Sequence, residues 1–430
     1  MPAQISLLTA VLLVIASMLG SGILTTTGSI AFFVKSPQAV MLVWGIAGLH
    51  AIIGAYCYGV IIRRMPVNGG EASILRNFFS PALGEIAGWV SFIVGFAASN
   101  AATAIGFAAY FGRAVSDVPL GLQIPALGAI FLVTSLHAFT GPMGLRIQTG
   151  MAALKFSLLL GLTIWGLWKV PASSMLSASS GVEAAPIGSP WGVAIMLAMF
   201  AYLGWSAAIY SAAETRDAKR NVPRAMMLGT LVVLVLYIAV NFALVRHIPI
   251  QELASEKAVM ELLARNLFGV GASEIFSGLV AFALLSSLGV SAFLGPRVLQ
   301  AMLGWYRSNS NGAESSPRPL LIWLQAGLSM FMIISGTFEQ ILMVAGFLLG
   351  VFPILAVLGL YTRTANEPEP VPPFARFVAV PIFLIGSSCI LILGAWEKPR
   401  EMAVAVAILL VIYALRQRIA GKTTSKYSWK

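Results

Sequence analysis

The sequence predicts an all-helical membrane protein with twelve transmembrane helices. The 430 residues are 58% apolar and only 10% charged, with a mean hydropathy of +0.88. A soluble domain carries about 25% charged residues, so this composition excludes a cytosolic enzyme, a nucleic-acid-binding domain and a disordered chain. Apolar runs of about 20 residues recur along the chain, which is the length a helix needs to cross a bilayer. Strands of a membrane barrel would alternate apolar and polar residues instead.

Twelve apolar stretches are the candidate spans. They lie near residues 5–32, 38–62, 82–112, 122–139, 145–168, 190–213, 224–246, 274–304, 317–335, 339–362, 374–396 and 399–419. No Lys or Arg precedes the first run and no small-residue cleavage site follows it, which favours a retained span over a signal peptide. Cys57 and Cys389 both lie in apolar runs, so the sequence predicts no disulfide framework, no metal site and no cofactor.

The net charge of +11 indicates orientation. With both termini in the cytoplasm, 18 of the 27 Lys and Arg residues fall on the cytoplasmic side and 8 on the external side. Lys155 is left within a predicted span. The excess of Lys and Arg on the predicted cytoplasmic side therefore predicts an integral protein of the cell (inner or plasma) membrane that contacts anionic lipid, with no nucleic-acid partner.

Spans 1–5 and 6–10 share one layout, with starting residues offset by about 185 to 192 positions. The predicted units are residues 1–168 and 190–362, followed by spans 11 and 12 at 374–419 and a basic, flexible cytoplasmic tail at 420–430. A Pro-rich linker, 363–373, separates the second unit from spans 11 and 12. An odd number of spans inverts the second unit relative to the first, as is typical of secondary transporters whose first helix in each unit is interrupted.

Glycines lie at both expected interruptions. Gly20, Ser21 and Gly22 are near the centre of span 1, and Gly204 is near the centre of span 6. A half-helix that starts at Gly22 would present N–H groups to a carboxylate, and the carbonyls that end the preceding half-helices suit an ammonium group. The arrangement fits a zwitterion with both groups on one carbon. The alternative is that these glycines only let helices pack closely.

Five groups of residues carry a family resemblance. They are Gly20-Ser21-Gly22-Ile23, Pro66–Glu71, Arg146 and Gln148 with Lys155, Phe200–Trp205 with Glu214 and Lys219–Ala225, and the weaker Ser287-Leu288-Gly289 with Arg297. In this order and spacing the chain resembles the amino acid–polyamine–organocation (APC) superfamily, most closely the L-type amino acid exchangers and their bacterial relatives. The resemblance implies a leucine-transporter-like fold, a 5+5 inverted repeat with twelve transmembrane helices of which helices 1 and 6 are broken at mid-membrane. It also implies alternating access.

The resemblance also implies a substrate site. Its substrate-binding positions are Met18, Gly20, Ser21, Gly22, Ile23, Phe200, Ala201, Leu203 and Gly204. Ser21 and Gly22 would hold the substrate carboxylate, and the Met18, Phe200 and Leu203 carbonyls would accept its ammonium group. The Phe200 ring would close over the substrate from the external side.

Lys155 is the second feature that the resemblance explains. Nine residues after Arg146, it would lie about 13 Å deeper in a helix, too far for easy snorkelling. A charge at that depth is expensive and marks function. In the family the matching lysine replaces a sodium ion between spans 1 and 8, which implies a coupling role for Lys155 beside Ser287 and the Gly20 region. It would act as a fixed cation or as a protonation switch, so proton coupling is left open.

Small residues in the motif segments, among them Ser206 and Ser291, favour a small or medium neutral L-amino acid as substrate. A cationic amino acid or polyamine antiporter is the alternative. The sequence offers neither a Ser/His/Asp arrangement nor an H-E-x-x-H motif for a membrane enzyme, and no filter-like segment for a channel. Segment 113–121 lacks the cysteine through which eukaryotic relatives bind a heavy chain, so no disulfide-linked partner is expected.

Overall fold

A computed structural model describes residues 5–427 apart from nine gaps. The gaps are residues 66–69, 116–120, 141–143, 171–184, 187, 255, 306–318, 337 and 363–369. Within the described ranges every regular element is helical, and the one isolated bridge joins Ile5 to Thr215. The predicted all-helical class is therefore confirmed. The described residues leave out the Pro66–Gly69 part of the loop motif, most of segment 113–121 and the first part of the Pro-rich linker 363–373.

The described residues of the first half of the chain form eight α-helices. They are α1 (Leu7–Met18), α2 (Ser21–Val34), α3 (Pro37–Arg64), α4 (Gly70–Phe78), α5 (Pro81–Val90), α6 (Ser99–Ala114), α7 (Gln123–Thr140) and α8 (Gly144–Trp168). A π-helical segment, Ser91–Ala98, joins α5 to α6, so that Pro81–Ala114 is one continuous helix.

Nine α-helices lie in the part of the second half that the structure describes. They are α9 (Trp191–Ala201), α10 (Ala218–His247), α11 (Ile250–Leu253), α12 (Val259–Phe268), α13 (Val270–Trp305), α14 (Pro319–Ser335), α15 (Phe338–Leu358), α16 (Val380–Glu397) and α17 (Pro399–Tyr427). Short 3₁₀ segments follow α9 at Ala207–Glu214 and α15 at Gly359–Tyr361, and a π-helical turn, Ala375–Ala379, precedes α16.

Six of the described helices are long and apolar enough to cross a membrane. The number is seven if α1 and α2, which are bent by 40° at the break between them, count as one span. Shorter apolar helices lie at Gln123–Ala138, Ala153–Trp168, Trp191–Ala201 and Pro319–Ser335. Each of the twelve predicted ranges contains a helix, but the count of twelve membrane spans stays a prediction.

Serine and proline fix where several helices begin. Ser36 precedes Pro37, and its Oγ accepts a hydrogen bond from the Ala39 N–H at 3.4 Å. Ser80 and Pro81 begin α5 in the same way. A serine hydroxyl satisfies an N–H that has no partner within the helix, and proline at the first position loses no hydrogen bond there.

Glu397 fixes the start of α9, the helix that leads into the predicted site. Its carboxylate accepts hydrogen bonds from the Gly192 N–H at 3.0 Å and the Val193 N–H at 2.7 Å. A negative group at a helix N-terminus compensates the helix dipole and pairs N–H groups that have no partner within the helix. A Cβ at Gly192 would lie 2.6 Å from the Gly394 nitrogen, so α9 and α16 are in backbone contact here.

The helix α17 extends into the predicted tail, residues 420–430, and ends at Tyr427. The flexibility of this tail stays a prediction. Just before the tail, the Arg416 Nε of α17 donates to the Glu85 carboxylate of α5 at 2.9 Å, and this ion pair joins α17 to α5. No proline follows Pro399 to interrupt the helix.

Glu71 is a half-buried carboxyl in the connection between α3 and α5. The Tyr58 hydroxyl donates to it at 2.7 Å, and the adjacent Gly70, with φ of +66°, leaves room for the Tyr210 ring where a Cβ would overlap it. Burial raises the pKa of Glu71 from 4.5 to about 7, although the Tyr58 hydrogen bond opposes this shift.

We expect Glu71 to make the stability of the purified protein depend on pH. Its pKa is higher in the folded than in the unfolded chain, so the folded protein binds the proton more tightly between pH 4.5 and about 7. The free energy of unfolding should therefore fall as pH rises through this window. Thermal unfolding in detergent should show that Glu71→Gln has a flatter pH dependence than the wild type. Identical slopes would contradict the assignment.

Candidate functional site

The chain leaves helical geometry between α1 and α2, within the range predicted as span 1. α1 ends at Met18 and α2 begins at Ser21, one residue before the predicted start at Gly22. Between them Leu19 leaves the helical region, Gly20 is extended, and the Gly20 N–H donates to the Met18 carbonyl at 2.7 Å. The first N–H groups of a helix have no intrahelical acceptor, so the start of α2 can bind a negative group.

A second interruption lies within the range predicted as span 6. α9 ends at Ala201, residues 202–206 form turns, and the chain continues as the 3₁₀ segment Ala207–Glu214. Gly204 has a φ of +106°, which a residue with a side chain rarely adopts. The Phe200 carbonyl, a predicted ammonium acceptor, accepts the Leu203 N–H at 3.0 Å.

The two interruptions meet backbone to backbone. A Cβ on Gly22 would overlap Ala201, and a Cβ on Gly204 would lie 2.7 Å from the carbonyl of Ser17 and 3.0 Å from the Met18 nitrogen. The structure thus brings Met18, Gly22, Ala201 and Gly204 together at one place. Only glycine permits this approach from both sides.

Tyr237 of α10 joins the two interruptions. Its hydroxyl donates to the Met18 carbonyl at 2.7 Å and lies 3.3 Å from the Ala201 carbonyl. The side chain is fully buried and packs against Trp44 and Tyr202. Sequence reasoning missed this residue, although a tyrosine in the middle of an apolar span, where its hydroxyl must find a partner, was a usable signal.

The helix α6 supplies polar groups next to Ser21 at the start of α2. The Ser21 hydroxyl lies 3.1 Å from the Thr103 hydroxyl, and Gly106, one turn further along α6, lies against Thr25 and Ser21. Asn100 precedes Thr103 by three residues and therefore shares its helix face. Since α2 begins at Ser21 and runs alongside the later turns of α6, Asn100 lies level with the interruption in span 1.

Asn100 was also missed from the sequence. Its side chain is only 5% exposed, and its Oδ1 has no hydrogen-bond partner among the described residues. An unpaired buried carbonyl oxygen costs free energy unless a ligand or water pairs with it. The signal was a polar residue within the apolar run of span 3.

Lys155 lies in α8 with its ammonium group inside the helix bundle. The side chain is 5% exposed, and Nζ donates to the Ser287 hydroxyl of α13 at 2.6 Å. The structure therefore brings together the two residues predicted to have a coupling role. Side chains of the neighbouring motif residues Arg146, Gln148, Glu214 and Arg297 lie outside what the structure describes.

The remaining predicted residues have contacts of their own. Ile23 is buried in α2, and Phe200 and Leu203 line a cavity of about 60 Å³ between α3, α9, α15 and α16. The Ser206 carbonyl accepts the Ile209 N–H, and the Ser291 carbonyl accepts the Gln325 Nε2 of α14.

Two polar features bear on other chemistry. His50 pairs with the Ser387 hydroxyl at 2.8 Å and stacks on Phe383, as expected for a core histidine whose hydrogen bonds are satisfied. Among the described residues, no group of three or more His, Cys, Asp or Glu side chains could hold a metal ion.

Comparison with known proteins identifies the family. A profile of the amino acid permease family matches residues 5–415. The chain is 24% identical over 440 residues to the serine/threonine exchanger SteT of Bacillus subtilis, covering 97% of this chain and 98% of that protein. It is 24% identical to the b(0,+)-type amino acid transporter 1 of Mus musculus, over 92% of this chain and 84% of that protein.

A third relative extends the range of substrates in the family. The chain is 23% identical to the large neutral amino acids transporter small subunit 2 of Mus musculus, over 95% of this chain and 79% of that protein. The family match covers nearly the whole chain, and the relatives are transporters. The chain therefore belongs to the amino acid permease family, and it is a membrane-embedded amino acid transporter, not an enzyme.

Proposed function

We propose that this protein is a secondary active transporter or exchanger of small and medium neutral L-amino acids, and that it works by alternating access in the cell membrane. The observation that carries this proposal is the backbone contact between the interruptions in spans 1 and 6. Irregular backbone at membrane depth is stable only where it is buried in protein or lines a cavity. Two facing interruptions are the usual substrate site of secondary transporters.

The substrate carboxylate binds at the start of α2, to the Ser21 hydroxyl and to N–H groups of Ser21 and Gly22. The substrate ammonium group binds at the carbonyl ends of α1 and α9, chiefly at Met18. A charged donor forms a stronger hydrogen bond than a neutral hydroxyl. The ammonium therefore replaces the Tyr237 hydroxyl at the Met18 carbonyl, which that hydroxyl occupies in this structure.

The fold that supports this site is a leucine-transporter-like 5+5 inverted repeat with twelve spans. Corresponding helices begin at similar offsets: α1 with α9, α3 with α10, and the Pro81–Ala114 helix with α13. The first helix of each unit is the one that is interrupted, as this architecture requires. Both termini face the cytoplasm, because that orientation places most Lys and Arg residues inside.

Closure of the external side fits one state of an alternating-access cycle. The loop that contains α11 and α12 lies over α2, since a Cβ on Gly28 would overlap the Glu256 carbonyl. The Arg113 guanidinium of α6 pairs with the Glu256 carboxylate at 2.6 Å. Spans 1, 2, 6 and 7 move against spans 3, 4, 8 and 9 to open this side.

The selectivity proposal rests on Asn100 and on the absence of acids in the binding segments. Segments 17–23, 99–106 and 200–206 contain no Asp or Glu, so a cationic side chain would find no partner there. The Asn100 Oδ1 is an acceptor for a hydroxyl side chain. Transport of cationic amino acids is the second candidate, because one relative carries the b(0,+) name.

Lys155 makes the transporter independent of sodium. Its ammonium, paired with Ser287 between α8 and α13, supplies the positive charge that a bound sodium ion would otherwise supply. A proton on this group is the remaining means of ion coupling. No disulfide-linked heavy chain is proposed, since the sequence 113–121 contains no cysteine.

A thermal-shift screen against the twenty amino acids tests the proposed substrate class. A ligand that binds the folded state raises the unfolding temperature. We expect the largest shifts with small neutral amino acids, L-serine and L-threonine among them, and none with L-arginine or L-lysine. A shift with the cationic amino acids alone would overturn the proposal.

A variant of Asn100 tests the proposed origin of the selectivity. Asn100→Leu removes the free acceptor and keeps a similar volume. It should reduce the preference for L-serine over L-alanine by about threefold to tenfold, the effect of one hydrogen bond. An unchanged preference would remove Asn100 from the site.

The role of Lys155 predicts a loss of transport without loss of folding. Lys155→Ala should lower amino acid uptake into proteoliposomes about tenfold or more, because it removes a charged group and leaves Ser287 without its donor. Lys169→Ala, which changes a lysine at the far end of the same span, should retain uptake. Wild-type uptake should be the same when choline replaces sodium. Full uptake by Lys155→Ala, or dependence on sodium, would refute the role.

A further inference from the structure

Asn241 is a polar side chain in the apolar middle of α10. It is completely buried and forms two hydrogen bonds: Oδ1 accepts from the Thr27 hydroxyl of α2 at 2.7 Å, and Nδ2 donates to the Tyr237 carbonyl of its own helix at 2.8 Å. The carbonyl partner fixes which end of the amide is the donor. Inside a membrane protein such a group is expensive and is retained where it connects helices.

Thr27 differs from the two threonines that precede it. Thr25 and Thr26 donate to carbonyls of their own helix four residues earlier, those of Ser21 and Gly22. Thr27 is equally buried, but it donates to Asn241 across the helix interface. Its hydroxyl therefore links two helices where its neighbours make only local bonds.

The same face of α10 contacts both sides of the interruption in span 1. Tyr237 and Asn241 are four residues apart, so they lie on one face about 6 Å apart along the helix axis. Tyr237 contacts the carbonyl end of α1 at Met18, and Asn241 contacts α2 at Thr27. In this structure the two bonds hold the two half-helices against α10, and the Thr27–Asn241 bond is the one that stays when the substrate ammonium replaces the Tyr237 hydroxyl at Met18.

We propose that the Thr27–Asn241 hydrogen bond positions α2, and thereby aims Ser21 and the first N–H groups of α2 at the substrate carboxylate. This inference rests on the proposed carboxylate site. Thr27 lies six residues after Ser21, about 9 Å along the helix, so neither Thr27 nor Asn241 is needed to touch the substrate. Both are positioning residues.

The proposal predicts a change in apparent affinity with little change in turnover. Thr27→Val keeps the shape of the side chain and removes the bond, so α2 is no longer held in register with Tyr237. We expect the KM for L-serine to rise about threefold to tenfold, the effect of one interhelical hydrogen bond, with kcat within about twofold of the wild type. Thr27→Ser keeps the hydroxyl and should restore the wild-type KM.

The experiment measures exchange of radiolabelled L-serine in proteoliposomes for Thr27→Val, Asn241→Leu and the double variant. Because the two residues act through one bond, the double variant should raise KM no more than the stronger single variant. Thr230→Val is the control, since Thr230 is a fully buried threonine of α10 whose hydroxyl has no partner among the described residues. It should transport as the wild type does.

Three outcomes would overturn the proposal. One is a wild-type KM for Thr27→Val. Another is a multiplied effect in the double variant, because independent effects exclude a shared bond. Ser21→Ala, measured alongside, separates this proposal from the site on which it rests. If Ser21→Ala raises KM and Thr27→Val does not, only the positioning role is wrong. The third outcome is an unchanged KM for Ser21→Ala, which would show that the carboxylate site and this role are both wrong.

Discussion

The contact between the interruptions of spans 1 and 6 is the constraint on which the rest of the structure depends. Backbone that leaves helical geometry in hydrocarbon must find partners for its N–H and C=O groups. Here some of the partners are local, as for the Gly20 N–H, and others come from a neighbouring helix, as for the Met18 carbonyl. Gly22 and Gly204 allow the two segments to come into backbone contact.

The surrounding helices are arranged to hold these two segments in place. Glu397 of α16 caps the start of α9, and α10 contacts both halves of span 1 through Tyr237 and Asn241. α6 contacts the start of α2 through Thr103. Several buried polar side chains thus contact the two halves of span 1, while large apolar side chains such as Phe331 and Ile385 are exposed on the outside of the bundle. This distribution is the one that a transporter in lipid requires, since polar groups there are stable only when paired.

The sequence predicted the parts of this site that depend on backbone chemistry. Glycine lowers the cost of leaving helical geometry, and the predicted inverted repeat indicated where the two interruptions should lie. The positions of Gly22 and Gly204 could therefore be predicted from the sequence. Lys155 was found because a charge in an apolar span stands out. Tyr237, Asn241, Asn100 and Thr103 were missed for one physical reason: an apolar span shows little periodicity, so the sequence does not indicate which face of span 3 or span 7 meets span 1. Glu397 was missed because its partners, the N–H groups at the start of α9, are about 200 residues away in sequence.

The central claim is that the close approach of α2 and α9 at Gly22 creates the amino acid site. The most direct test is the thermal stabilisation of purified Gly22→Ala by L-serine, compared with Gly45→Ala, because a Cβ at Gly45 would meet no atom within 4 Å. A Cβ at Gly22 would overlap Ala201, so Gly22→Ala should unfold at a lower temperature than Gly45→Ala, and each variant is compared with its own ligand-free sample. The account predicts that Gly22→Ala gains no stabilisation from L-serine, while Gly45→Ala gains as much as the wild type. Stabilisation of Gly22→Ala equal to that of the wild type would contradict it.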